Sequence, residues 1–376
     1  MLLGSASPTL PGRYADSLVS RVAAAVQICA EAMGLALPAE QARYRRFYNT
    51  LDGDADATPN GTGDVVALAM QAITASLPVP HALVTSFVGP ALRGFGYLGE
   101  GRARASFPAT LEAQLGKALT LLLSEGRARA AEAGLLVDVF RLCYPEAARL
   151  RDLSATSVAM QLGVVPTGGA AKIKVYLKTR LDTSVSHDER IAAILARLGL
   201  DDGGLYHALY AREHEAYFHG IGLDLDGDAT TRLKLYIHAP LDAAMSLVDR
   251  LVHRLHALGQ PADDITPAVQ SLVAGFAPEH LMNELELAVA LRTDGPPTFK
   301  MSLFFHRDHE PRALEEAVRN LWARHDVSFA VMDSVLEALT PMSADASTLP
   351  SPMTSAGIEL PLAPWPKLNL YLQPVF

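Results

Sequence analysis

The sequence predicts an α+β fold, a ten-stranded antiparallel β-barrel surrounded by α-helices and assembled from five helix–hairpin repeats. Three observations predict it. Long Ala/Leu-rich segments with helical spacing alternate with short segments of period-two alternation. The strand-like segments come in pairs around turn-forming residues. The second member of each pair carries one repeated pattern of cation and aromatic residues. Helices and a hairpin recur about every 60 to 80 residues, and internal repetition of this kind fixes an architecture before any single element does.

The helical segments cover residues 14–34, 107–134, 187–200, 241–259 and 311–325. The first strand pair, 82–88 and 92–98, flanks Gly89-Pro90 and is the weakest. The others are 156–165 with 172–177 around PTGG, 218–225 with 232–237 around DGDATT, 285–291 with 299–305 around RTDGPPT, and 357–362 with 367–372 around APWP. Residues 343–357, rich in Ser, Thr and Pro, read as a mobile loop before the last hairpin. Closed β-structures often run long as one unit, so residues 1–376 are read as a single barrel domain.

Stacked by position, the second strands read RGFGYL, KIKVYL, RLKLYI, KMSLFF and KLNLYL. The first position is Arg93, Lys172, Arg232, Lys300 and Lys367. The third is Phe95, Lys174, Lys234, Ser302 and Asn369, and the fifth is Tyr97, Tyr176, Tyr236, Phe304 and Tyr371. Alternate residues of a strand share a face. Each strand therefore has an apolar face, expected to pack on helices, and a cation–aromatic face, expected to line the lumen. A barrel of ten strands leaves room inside for small ligands. Strand faces turned to water would also be polar, but they usually mix acids with lysines, and no acid occupies these positions.

Composition narrows the function classes. The net charge of −9 argues against a nucleic-acid partner, which needs a basic face. No apolar run reaches the roughly 18 residues of a membrane span. The first twelve residues lack a charged region followed by an apolar one, so a secretory signal is not expected and the reading is cytoplasmic. Cys29 and Cys143 stand far apart without CxxC spacing and read as core packing.

Several cations in a lumen are costly without an anion to meet them. Guanidinium forks and ammonium charges suit phosphate oxygens, and tyrosine ring faces attract cations. An allylic diphosphate needs both, because its leaving group gains negative charge while the departing carbon gains positive charge. A closed barrel would also keep water from the carbocation.

The K-x-K-x-Y, R-x-K-x-Y and L-x-L-Y-L strands together resemble the dimethylallyltryptophan synthase family, aromatic prenyltransferases of the ABBA barrel type, from about Arg93 to the C-terminus. The resemblance implies metal-independent transfer of a prenyl group, usually dimethylallyl, to an aromatic acceptor, often an indole, in secondary metabolism. Magnesium is admitted but not required. It implies diphosphate binding by Arg93, Lys174, Tyr176, Arg232, Lys234 and Tyr236, with Lys300 and Ser302 on the fourth hairpin, where the family usually has Gln and Tyr and this chain has Ser302 and Phe304. The allyl cation would be shielded by Tyr97, Tyr176, Tyr236, Phe304 and Tyr371. Indole-using relatives carry a Glu on the first strand, whereas this chain reads His81-Ala82-Leu83-Val84-Thr85 there. A family lysine that can act as base falls near Gln161. Candidate catalytic groups are therefore Lys174, Gln161 and Glu286, and candidate acceptor contacts are Leu83, Gln161, His219 and Glu359, against the plainer reading of the last ones as hairpin-edge residues. The partners are a small allylic diphosphate and an aromatic acceptor, the protein being a monomer or homodimer. Two other readings share the pattern: a non-catalytic barrel that binds an anionic or prenylated small molecule, and a repeat protein with strand faces in water.

Other motifs fall away. Asp52-Gly53-Asp54-Ala55-Asp56 lacks the Gly and Glu of a calcium loop. Asp224, Asp226 and Asp228 fail in the same way and read as a hairpin turn. There is no DDxxD, no HExxH, and Gly168-Gly169 precedes no phosphate-loop helix.

Overall fold

The computed structural model describes residues 12–35, 83–88, 91–102, 109–145, 158–165, 171–179, 185–210, 216–225, 232–274, 281–293, 295–305, 312–323, 328–340, 351–360 and 367–372. The chain begins with helix α1 (Gly12–Ala32), followed by strands β1 (Leu83–Val88) and β2 (Ala91–Arg102). Helices α2 (Ala109–Ser124) and α3 (Ala130–Cys143) lead to β3 (Val158–Val165) and β4 (Lys172–Leu177). Next come α4 (His187–Leu198), α5 (Leu205–Tyr210), β5 (Tyr217–Leu225) and β6 (Arg232–Pro240). A 3₁₀ turn (Leu241–Ala243), α6 (Ala244–Ala257) and α7 (Ile265–Ala274) precede β7 (Leu281–Arg292) and β8 (Thr298–Phe305). The last elements are α8 (Ala313–Ala323), α9 (Ala330–Leu339), β9 (Met353–Leu360) and β10 (Lys367–Leu372). The fold is α+β. All strand pairs are antiparallel, each strand pairs with its neighbours in sequence, and β1 pairs with β10 to close the ring.

Strand alternation builds the two faces of this wall. In β4, Ile173, Val175 and Leu177 are buried against the outer layer, while Lys172, Lys174 and Tyr176 take the other face. In β10, Leu368, Leu370 and Leu372 are buried in the same way, and Lys367, Asn369 and Tyr371 alternate with them. The outward leucines and valines meet helix stripes such as Leu247, Val248, Leu251 and Leu255 of α6 in one continuous core. The main core thus lies between sheet and helices, which leaves the inner face to polar groups.

Helix limits follow local chemistry. The Ser186 hydroxyl accepts from the Glu189 N–H, the Glu189 carboxylate accepts from the Ser186 N–H, and Gly199 ends α4 in the left-handed region. The segment expected as one helix over 107–134 is instead α2 and α3, because Gly126 adopts φ 66° and turns the chain. Residues 353–356, expected in a loop, are the first half of β9, and Ser351 just before them donates to Glu315 Oε2 at 2.9 Å. Asp224, covered by the strand expected over 218–225 but also grouped with Asp226 and Asp228 as a hairpin turn, is inside β5. The aspartates of 52–56, Asp226, Asp228 and Gly168-Gly169 lie outside the described residues.

One strand runs out of phase with the stacked pattern. Tyr97 pairs with Leu83 and Val164, and Leu83 pairs with Leu372. Val164 and Leu372 belong to the core behind the sheet. Tyr97 and Leu83 therefore occupy the helix-side register, a correction to both as lumen residues. The register shifts between Ser86 and Phe87, where Ser86 pairs with Gly94 and Phe87 with Leu92, so Arg93 has no paired position. An extra residue at such a bulge inverts the phase of everything beyond it, which a stacking of sequences does not reveal. The side chains of Leu83, Arg93, Tyr97 and Phe304 lie outside the described residues.

Candidate active site

The even strands β4, β6, β8 and β10 run in the same direction, and their repeated pattern faces one space. A cavity of about 280 Å³ is lined by Lys172, Lys174 and Tyr176 of β4, Arg232 and Lys234 of β6, Lys300 of β8, and Lys367, Asn369 and Tyr371 of β10. The sequence pattern thus converges in one space. Pockets for small ligands run from about 300 Å³ upward, so this is a small-ligand volume.

Near one end of this space, Asp224 of β5 gathers cations from neighbouring strands. It faces Lys174 and Arg232 in register. Arg232 donates through Nε at 3.1 Å and Nη2 at 2.6 Å to Oδ2. Lys234 Nζ lies 2.8 Å from Oδ2 and 3.1 Å from Oδ1. The Asp224 side chain is 2% exposed. Burial alone would raise its carboxyl pKa, but Lys234, Lys174 and Arg232 outweigh that and hold it well below the usual carboxylate range. Burial pushes Lys234 well below the ordinary lysine value, with Asp224 opposing and Lys174 and Arg232 adding to the fall. Lys174 is lowered in the same way. At the rim, Lys367 Nζ donates to Glu359 Oε1 at 2.7 Å.

Deeper in, tyrosines and a lysine form the next level. Tyr176 and Tyr236 rings lie 5.8 Å apart at 50°. Lys234 Nζ sits 5.8 Å from the Tyr176 ring centre. Lys300 Nζ donates to Tyr371 Oη at 2.8 Å and lies 5.8 Å from the Tyr236 ring centre. Burial keeps both phenols, Tyr176 and Tyr236, well above the ordinary tyrosine value, so they stay neutral donors with intact ring faces. Two glycines permit this packing. A Cβ on Gly222 would come within 3.0 Å of the Tyr236 ring, and one on Gly357 within 3.0 Å of Lys300 Cδ.

Beyond the tyrosines lies a carboxylate–imidazole group. Glu286 of β7 accepts from His238 Nε2 at 3.2 Å in the charge-paired form and stands 3.9 Å from Lys300 Nζ. Tyr217 Oη and His238 Nδ1 are 3.1 Å apart, and the His219 ring stacks on His238 at 4.1 Å and 10°. Burial would raise the Glu286 carboxyl, but His238 and Lys300 lower it to about 2. Lys300 moves the other way: burial lowers it, and Tyr371 and Glu286 more than restore it. Ser302 is buried and faces Glu286 and Gly357 in register. Gln161 faces Tyr176, so it shares the lumen register. Phe304 pairs with Ser355 in that same register.

The structure brings Lys174, Tyr176, Arg232, Lys234, Tyr236, Lys300 and Tyr371 together, with Glu286, Ser302 and His219 beyond them and Glu359 at the rim. It does not bring Tyr97 or Leu83 to that register. Sequence reasoning missed Asp224, His238 and Tyr217. Asp224 was hidden in an Asp-rich run that resembles a turn. His238 continues the period-two series Arg232, Lys234, Tyr236, and that signal was there to follow. The position opposite Tyr371 on β1 is Val84, so the acid missing from the sequence of that strand is also missing at the matching height. Among the described residues, no group of three or more His, Cys, Asp and Glu side chains is placed to hold a metal ion, and no helix is long and apolar enough to cross a membrane.

No protein-family model matches the chain, and no curated protein matches it in sequence. Solved structures match in fold. The 5-dimethylallyl tryptophan synthase from Streptomyces coelicolor, in complex with DMASPP and Trp, superposes with a TM-score of 0.67 at 16% identity, over 94% of each chain. The 6-dimethylallyltryptophan synthase from Micromonospora olivasterospora, also in complex with DMASPP and Trp, gives 0.60 at 18%, over 94% of this chain and 97% of that one. PriB, in a binary complex with product diphosphate, gives 0.63 at 18%, over 95% and 96%. The chain has the fold of these aromatic prenyltransferases.

Proposed function

We propose that this chain is an aromatic prenyltransferase, one barrel domain over residues 1–376 that moves a dimethylallyl group from an allylic diphosphate to an aromatic acceptor, an indole or tryptophan-derived compound. The observation that carries this reading is the sorting of charge along the lumen. Among the described residues, four inward-set cations, Lys174, Arg232, Lys234 and Lys300, share two carboxylates, Asp224 and Glu286, and open onto one cavity floored by tyrosines. A diphosphate supplies the missing negative charge, and the fold shared with diphosphate- and DMASPP-bound prenyltransferases supports that choice.

In this reading Lys174, Arg232 and Lys234 hold the diphosphate, with Arg93 and the Tyr176 and Tyr236 hydroxyls as further donors. The C–O bond breaks with its electron pair going to the diphosphate. The ring faces of Tyr176, Tyr236 and Tyr371, with Phe304, shield the allyl cation. An acceptor ring carbon attacks the cation from below, next to Glu286, His219 and Gln161. The ring carbon then gives up its proton to the departing diphosphate or to the Glu286 carboxylate. Fixed donors at the leaving group stabilise the transition state without reorganisation, the largest effect such a site offers. The lumen cations fill the charge-neutralising role that a metal fills elsewhere, so transfer is expected to survive a chelator.

The test is incubation with radiolabelled dimethylallyl diphosphate and a panel of indoles and phenols. Labelled aromatic product together with released diphosphate is the expected result. Tight binding of the diphosphate with no transfer to any acceptor would instead favour a barrel that sequesters its ligand.

A further inference from the structure

The cations assigned to the donor are already held by an anion of the protein's own. Asp224 sits on β5 between β4 and β6 and contacts Arg232 and Lys234 directly while facing Lys174. Its side chain is 2% exposed, so water does little to support or screen it. A carboxylate there does two opposing things. It draws guanidinium and ammonium groups toward one point before any ligand arrives, where like charges would otherwise repel. It also places a negative charge beside the incoming diphosphate, sharing the same cations.

We infer that Asp224 is a positioning residue that assembles Lys174, Arg232 and Lys234 for the donor and limits how tightly the product diphosphate is retained. This rests on the diphosphate reading of the cavity. Asp224 itself makes no bond to the substrate. It acts through the cations, keeping them converged for the leaving group and keeping inorganic diphosphate dissociable after transfer. A purely structural carboxylate would have a different signature, because its loss would weaken binding and turnover together.

The experiment compares wild type with Asp224→Asn in the full chain, by calorimetric titration with inorganic diphosphate and by turnover on an acceptor drawn from the panel. Removing one unit charge a few ångströms from the ligand is expected to tighten inorganic diphosphate by about tenfold to a hundredfold at the effective dielectric of protein sites. Turnover is expected to fall in the same variant, and Asp224→Glu to restore wild-type diphosphate affinity. Unchanged or weaker diphosphate binding by Asp224→Asn overturns the inference while leaving the diphosphate site in place. Failure of the wild type to bind inorganic diphosphate at all overturns both. Asp224→Ser serves if the Asn variant does not fold, and if neither neutral variant folds even with diphosphate present, the carboxylate is structural and the inference fails.

Discussion

The two ends of the lumen are built by different means. The cation end comes from a repeated strand pattern, with KIKVYL, RLKLYI and KLNLYL each delivering an inward cation from the same direction, while Lys300 of KMSLFF lies deeper, beside Tyr371 and Glu286. The far end comes from single residues on different strands, with Glu286 on β7, His238 on β6, and Tyr217 and His219 at the β5 bulge. Among the described residues, three cations at the first end, Lys174, Arg232 and Lys234, share one carboxylate, Asp224. At the second the charges are matched, Glu286 with His238 and Lys300. An unbalanced end calls for a charged ligand that comes and goes. A balanced end suits a neutral ring that needs orientation more than charge.

Substitutions that act at one end only test this division. The largest effect is expected for Lys174→Ala or Arg232→Ala, which should lower prenyl transfer about a hundredfold or more, as loss of one transition-state donor does elsewhere. Steady-state kinetics on a fixed acceptor measures it, and full activity in both variants would remove the diphosphate assignment. Glu286→Gln should lower acceptor turnover by about tenfold, less than the hundredfold or more of a sole general base, because the departing diphosphate also takes the proton. Its affinity for inorganic diphosphate should stay at the wild-type value, and a parallel loss of both would merge the two ends into one site.

A pH effect of similar size is expected at the cation end. Burial lowers the pKa of Lys174 and Lys234 in the free protein, and a bound diphosphate opposes that fall. Between the lowered pKa values of the free lysines and the higher ones of the diphosphate-bound state, binding takes up protons, so affinity falls as pH rises through that window, by up to about tenfold per unit for each proton taken up. Calorimetry in buffers of different ionisation enthalpy reads the protons directly, and a pH-independent affinity without uptake would place the lysines outside the site. The smallest effect is expected for Lys367→Ala. Its side chain is 36% exposed and paired with Glu359, so diphosphate affinity should change by no more than a few-fold, as for other solvent-screened pairs.

What was legible in the sequence follows the same division. Period-two alternation and a repeated cation exposed the lumen faces of β4, β6, β8 and β10, because side-chain direction in a strand is set by parity alone. RGFGYL matched that pattern in letters and failed in register, since the bulge facing Phe87 removes Arg93 from the pairing and pairs Tyr97 with Leu83 and Val164. Glu286, His238 and Tyr217 meet only through cross-strand register, which no local pattern records. Asp224 lies one residue from the end of β5 in a run of aspartates, and only its pairing with Arg232 and Lys174 separates it from a turn residue. The strand that became the start of β9 was hidden by Ser, Thr and Pro letters, although Met353 and Ala356 are buried there.

The central claim is that the converged cations form a diphosphate site. Calorimetric titration of dimethylallyl S-thiolodiphosphate, which resists cleavage, into wild type and the Lys174→Ala/Arg232→Ala double variant tests it most directly. The account predicts one site in the wild type and at least a hundredfold weaker binding in the double variant, about 2.7 kcal/mol or more. Equal affinity in the two proteins, or no binding to the wild type, would contradict it.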